Sequence, residues 1–226
     1  MVVDGSVRRG EAFARELRDL DLRNLLDVRL TTFRSNVYVP VDRDTFVEIM
    51  ASYPAGVAIV TTLDSDGTPR GLTTTAVSSV SAEPPLLLVC VDLGSRTLPA
   101  LRAGGRFVVN FLREGRSEVA RLFASRRDDK FEHVEWRATA SGMPYLPEDA
   151  LAWAECETVH ELEPGDHVVL LGQVEEGAGA ADEDAPLMYY RRSWGVWRPA
   201  PRQIERREMP ALEVSGQDLL WEGAEL

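Results

Sequence analysis

Long apolar runs are missing from this chain of 226 residues. None reaches the roughly 18 residues that a helical membrane span needs. The N-terminal "MVVDGSVRRG" carries two arginines but no apolar stretch behind them, so it does not read as a secretory signal, and the expected location is cytoplasmic. Cysteine is scarce as well. Cys90 in "LLLVCVDL" and Cys156 in "WAECETV" sit in apolar or alternating runs and have no ligand-spaced histidine nearby. Both are expected to be buried free thiols, with no disulfide and no metal site. Positive charge is in deficit, 25 Lys and Arg against 37 Asp and Glu, for a net charge of −12 and a pI near 4.8. Nucleic acid and anionic membrane are therefore excluded as main partners, since no broad basic footprint exists to displace counterions. A locally basic pocket for a small anion remains compatible with that balance. No G-x-G-x-x-G follows a strand and βαβ alternation is absent, which argues against a dinucleotide-binding Rossmann domain.

What is present is mostly strand. "GVAIVTTL" is rich in β-branched residues, and Asp66-Gly67 after it is a hairpin signal leading to the partner "RGLTTTAV". "PLLLVCVDL" is a nearly continuous apolar run, expected to be covered on both faces. "RFVVNFL", "LAWAECETVHEL", "DHVVLLGQVEEG" and "PLMYYRR" supply the remaining strands. Short helices are expected at "VDRDTFVEIM", capped by Asp42 or Asp44 with Phe46, Ile49 and Met50 inward, at "SRTLPALRAG" with Ser95 as cap, and at "SEVARLFAS". Six or seven antiparallel strands with few helices predict a mainly β fold, a small closed barrel. The N-terminal extension, 1–40, holds an amphipathic helix over 11–30; the barrel domain spans 41–197 and a tail covers 198–226. "EEGAGAADEDAP" reads as a loop.

One stretch does not read as plain scaffold. In "GLTTTAVSSVS", residues 71–81, six of eleven residues are Ser or Thr. Such a segment is either a solvent-facing strand or the lining of a polar ligand site, since hydroxyls both donate and accept. Here a resemblance enters. "YPAGVAIVTTLDSDGTPRGLTTTAVSSVSAEPPLLLVCVDLGSRT", followed in order by "GRFVVNFL", "FASRRDDKF" and "GDHVVLLGQV", resembles the flavin reductase family with its FMN-binding split-barrel fold, over roughly residues 42–195.

That resemblance implies an NAD(P)H:flavin reductase, a homodimer using FMN or FAD with NADH or NADPH and supplying reduced flavin to a partner monooxygenase. It implies Thr73, Thr74 and Thr75 near the flavin phosphate and ribityl chain, and Ser79, Val80 and Ser81 near the ring. Ser95, Arg96 and Thr97 would meet the phosphate at a helix start, which suits an anion, with Lys130 as a second counter-charge. Pro54, Gly56 and Val57 would approach the ring by backbone, and His167 would lie over its open face beside the nicotinamide, as a positioning group. The chain departs from the family at Ala55 and Ala76, where a hydroxyl is frequent. Two other readings stay open: a flavin-dependent enzyme on the same fold acting directly on an organic substrate, and a flavin-binding protein without turnover. His133 and His160 are expected to be structural.

Overall fold

In the computed structural model, residues 40–179 and 185–198 are described. The expected helix over 11–30 and most of the tail lie outside them. The chain divides into two compact units, residues 1–48 and 49–226. Of the first, the described part is the start of helix α1 (Arg43–Ala51), where Asp42 Oδ1 accepts from the Thr45 amide at 2.8 Å as an N-cap. Phe46, Ile49 and Met50 are exposed rather than inward. Helical spacing fixed a stripe, but a stripe does not carry its own cover.

The second unit is built on β1 (Ala55–Gly56), β2 (Ala58–Leu63), β3 (Pro69–Thr74), β4 (Val77–Ala82), β5 (Pro85–Asp92), α2 (Leu98–Gly104), β6 (Arg106–Leu112), α3 (Ser117–Ala124), β7 (Arg137–Ala138), β8 (Pro144–Tyr145), β9 (Ala150–Leu162), β10 (His167–Ala178), β11 (Leu187–Tyr190) and β12 (Ser193–Val196). Seven strands form one sheet in the order β3-β2-β6-β9-β10-β5-β4, every pairing antiparallel. β1, β11 and β12 form a second, and β7 and β8 a small ribbon. The β2–β3 hairpin closes as expected, with Gly67 at φ 82° donating to the Asp64 carbonyl.

The barrel is split rather than closed by a continuous ladder. Its two end strands, β3 and β4, are neighbours in sequence, joined by Thr75 and Ala76. That junction is stitched to β5 by single bonds: the Cys90 amide donates to the Ala76 carbonyl at 3.0 Å, and Thr74 Oγ1 donates to the Cys90 carbonyl at 3.4 Å.

β2 is buried almost throughout, and the side chains along it alternate between two cores. Ala58 and Val60 join Val89, Val91, Phe107 and Leu170 in one core, whereas Val57 and Ile59 join Leu112, Phe123, Leu146 and Leu187 in another. β2 thus separates two packed layers, each large side chain contributing about 1.5–3 kcal/mol. β5, read as covered on both faces, alternates instead: Leu87, Val89 and Val91 are buried, while Leu86, Leu88 and Cys90 are half-buried. β10 runs to Ala178, so the first four residues of the expected acidic loop are strand. β12 was not anticipated. It turns back from β11 through Arg191 and Arg192, both at positive φ.

Candidate active site

A cavity of about 580 Å³ opens where the split barrel is stitched, inside the range of roughly 300–1,000 Å³ usual for small-molecule sites. Its walls come from the end of β3 with Gly71, Thr73 and Thr74, the end of β5 with Cys90 to Asp92, the turn Gly94 to Thr97, and a stretch from Phe123 at the end of α3 to Phe131 beyond it. His167, at the start of β10, stands on the rim. Arg70, Arg96, Arg126, Arg127 and Lys130 line it, against the carboxylates of Asp64, Asp92 and Asp128. The lining therefore carries an excess of positive charge inside a chain of net charge −12.

Lys130 is the chain's only lysine among 25 basic residues. It follows α3 in a 3₁₀ turn, Lys130–His133, and its ammonium donates to the carbonyls of Gly71 at 3.0 Å and Phe123 at 2.8 Å. An ammonium has three donors, so one is left for a ligand. Burial, and then the neighbouring Arg96, hold its pKa below the ordinary 10.5, while Asp128 pulls the other way. Gly71 makes this geometry possible. Its carbonyl accepts from both Lys130 and Thr97, and a Cβ there would stand 2.7 Å from the Phe123 ring.

The hydroxyls behave differently from expectation. Thr73 Oγ1 donates to the Ala120 carbonyl at 2.7 Å, fixing α3 to β3, and Thr97 Oγ1 donates to Gly71 at 3.1 Å. Each hydroxyl has one proton, so toward a ligand these two can only accept and are poor phosphate donors as placed. Thr74 Oγ1 accepts from the Ala76 amide at 3.0 Å while donating to Cys90. Ser95 is not the helix cap, which is Thr97. Its Oγ accepts from the Thr97 amide at 3.3 Å and its carbonyl from the Leu98 amide at 3.2 Å. With Pro99 next, which has no N–H, the Thr97 and Leu98 amides are engaged and the one after them is missing, so the positive side chains carry the main part in holding an anion.

Of the expected residues, Thr73, Thr74, Ser95, Arg96, Thr97, Lys130 and His167 meet around the cavity. Pro54, Gly56, Val57, Thr75, Ser79, Val80 and Ser81 do not line it. Val57 has a buried side chain, and both its backbone groups are paired, with Leu187 and Leu112. Ser79 and Val80 are exposed and Ser81 half-buried on the edge strand β4, where the ladder with β5 slips between Ser79 and Ser81. Missed from sequence were Gly71, Arg70, Arg126 and Asp128. "SRRDDKF" carried the signal for the last two, as a charged segment directly after a helix.

His167 Nδ1 lies 2.7 Å from Asp166 Oδ1. A carboxylate only accepts, so Nδ1 carries the proton and Nε2 is the nitrogen left to meet a ligand. His133 instead contacts Asp129 and Arg127, and both cysteines are free, Cys156 buried with its thiol pushed up to about 12 by burial.

A flavin reductase like domain model matches residues 50–198. The chain belongs to that family. A flavin reductase (NADH) of Kitasatospora aureofaciens is 46% identical over 158 residues, 70% of this chain and 83% of that protein. An actinorhodin polyketide dimerase of Streptomyces coelicolor is 41% identical over 156 residues, 69% and 86% of the two chains. Among solved structures, an NADH:FAD oxidoreductase of Streptomyces globisporus superposes with a TM-score of 0.67 at 30% identity, covering 74% of this chain and 99% of that one. Within this family the cavity's lining suits a phosphorylated flavin, since Arg70, Arg96, Arg126, Arg127 and Lys130 share it with residues of β3 and β5. Among the described residues no helix is long and apolar enough to cross a membrane.

Proposed function

We propose that the chain is an NAD(P)H-dependent flavin reductase that binds flavin in the cavity described above. The observation that carries the reading is the cationic lining around Lys130 and Arg96 in a strongly acidic, family-matched chain. When bound, the flavin supplies the redox chemistry, taking a hydride from the nicotinamide. The third N–H of Lys130, the Arg96 guanidinium and the Ser95 hydroxyl hold the flavin phosphate. The walls exclude water from the ring's inner side. His167 lines the cavity with Nε2 turned from Asp166, where it would accept from the nicotinamide carboxamide in a positioning role.

NADH-dependent bleaching of FMN or FAD by the purified protein tests the reading; no bleaching with either flavin and either nicotinamide nucleotide rejects it. His167→Ala should leave FMN binding unchanged and lower kcat/KM for NADH about tenfold to a hundredfold. Unchanged kcat/KM would return His167 to a structural role.

The reduced flavin leaves for a partner monooxygenase, and the protein works as a homodimer. Support for the dimer comes from the outer face of the sheet. There Leu88 pairs with Leu171 and Cys90 with Val169, all four half-buried, with Val80 and Leu162 exposed. Light scattering at micromolar concentration checks it, and Leu171→Glu should shift the protein to monomer. A second reading, direct action on an organic substrate, is favoured by the similarity to the polyketide dimerase. Product formation without an added oxygenase would select it.

A further inference from the structure

Arg96 does not face the cavity alone. Its Nη2 donates to both oxygens of Asp128, at 2.6 and 2.8 Å, and its Nη1 donates to the Arg126 carbonyl at 2.5 Å. Asp128 Oδ1 also lies 3.7 Å from Arg70 Nη1. One carboxylate therefore sits between two guanidiniums on the cavity wall, where it presents the charge and the paired acceptors of one edge of a phosphate. Arg96 and Asp128 are 57% and 63% exposed, so their pairing contributes little to folding. Its consequence falls on whatever anion arrives.

We propose that Asp128 is an internal competitor for the flavin phosphate, a residue that sets affinity and release by occupying Arg96 when the site is empty. The inference rests on the flavin reductase reading and deepens it. An entering phosphate must either displace Asp128 from Arg96 or share the guanidinium with it. In the first case binding loses an existing charge-assisted pair; in the second, two like charges face each other at short range. Both lower the affinity for phosphorylated flavin below what Arg96 and Lys130 would give unopposed, and neither touches riboflavin, which brings no phosphate. For a protein whose reduced flavin must leave, a competitor built into the wall shortens the bound lifetime without removing the cations that select the ligand.

The opposite role is also physically reasonable: Asp128 could hold Arg96 in the orientation that the phosphate needs. The two roles differ in sign. FMN and riboflavin are titrated separately, by quenching of flavin fluorescence at low salt, into wild type, Asp128→Asn and Asp128→Ser; the exposed position leaves at least one variant folded. The expected result is FMN binding about tenfold tighter in the folded variants, as for removal of one unit charge near a partly solvated dianion, with riboflavin unchanged. In Arg96→Ala/Asp128→Asn that gain should disappear. FMN binding that is unchanged or weaker in the folded variants, or an equal gain for riboflavin, overturns the inference while the flavin reading stands. A wild type that binds neither flavin overturns both.

Discussion

The two halves of "GLTTTAVSSVS" share a composition and almost nothing else. The first half ends β3, where Gly71 is buried and Thr73 and Thr74 half-buried, and every hydroxyl there with a described bond is tied to the chain's own carbonyls. The second half is β4, an edge strand whose Ser78, Ser79 and Val80 are exposed. Hydroxyls on the inner half act as struts that hold the cavity open, and the ligand-facing donors beside them are cationic. Those on the outer half lie on an edge strand available to a second copy, where Ser78 Oγ donates only to the carbonyl of its own neighbour Ser79, at 3.1 Å. A Ser/Thr-rich run thus marks a boundary of the site more than its contents.

The sharpest break of that comparison is at Gly71. Gly71→Ala would drive a Cβ against a Phe123 ring that is 1% exposed and edge-packed on Phe131 at 5.2 Å, so the ring cannot yield freely. Overpacking of this kind costs about 1–3 kcal/mol, to be read as a lowered unfolding midpoint. The same displacement shifts the carbonyl that holds Lys130, so FMN binding should fall with it. Arg96→Ala comes next. Loss of a charge-assisted contact to phosphate should weaken FMN by about 1.5–3 kcal/mol, roughly tenfold to a hundredfold, and leave riboflavin nearly unchanged. Equal weakening of both would place Arg96 away from the phosphate.

pH offers a reversible version of the same test. Lys130 is neutralised below the ordinary lysine value of 10.5, because burial and Arg96 disfavour its charge. Around it stand Arg96, Arg70 and Asp128, and the Cys90 thiol is itself pushed up by burial. As pH rises through the lowered value, the phosphate loses a counter-charge and FMN affinity should fall, relative to riboflavin as the control for the ring's own ionisation. The lysine's own contribution to stability moves the other way. In that window the unfolded chain binds its proton and the folded chain does not, so this contribution to the unfolding free energy rises with pH until the unfolded lysine titrates near 10.5. The raised Cys90 and Cys156 thiols act with the opposite sign above their ordinary 9.0, so the lysine's share is read as the difference between wild type and Lys130→Met. FMN affinity that falls with pH as steeply in Lys130→Met would mean that Lys130 is not the group responsible.

Much of the fold was legible because short apolar or alternating runs bounded by turn residues become strands. β6, β9 and β10 lie where "RFVVNFL", "LAWAECETVHEL" and "DHVVLLGQVEEG" put them, and Asp66-Gly67 marked the hairpin. Pattern alone read a closed barrel and the resemblance supplied the split, since it depends on Thr75 and Ala76 bringing two sequence neighbours to opposite ends of one sheet. β5 misled because a run of leucines and valines looks alike whether its second face is covered by the same chain or left half-buried. At the site, the resemblance brought Arg96, Lys130 and His167 to one cavity. It did not reveal that Thr97 takes the cap position, that Pro99 removes an amide, or that Asp128 lies across Arg96. Those depend on one-residue offsets and on partners about 30 residues away.

The smallest expected effects compare single hydroxyls on the two halves. Thr73→Val removes the bond from Oγ1 to the Ala120 carbonyl on α3 and leaves that carbonyl without its side-chain donor. Valine keeps the shape and the β preference, so the change isolates the hydrogen bond, worth about 0.5–1.5 kcal/mol. Because Thr73 faces the cavity only as an acceptor, FMN affinity should change little while α3 loosens, visible as faster amide exchange in Ser117–Ala124. Ser79→Ala removes a hydroxyl from an exposed position on β4 for which no hydrogen bond is seen, and stability should stay within about 0.5 kcal/mol. If Ser79→Ala instead destabilises the protein more than Thr73→Val does, in a manner that depends on protein concentration, the outer half is not a free edge. Its hydroxyl is then buried against a second copy, and the contrast between the two halves ends at the monomer.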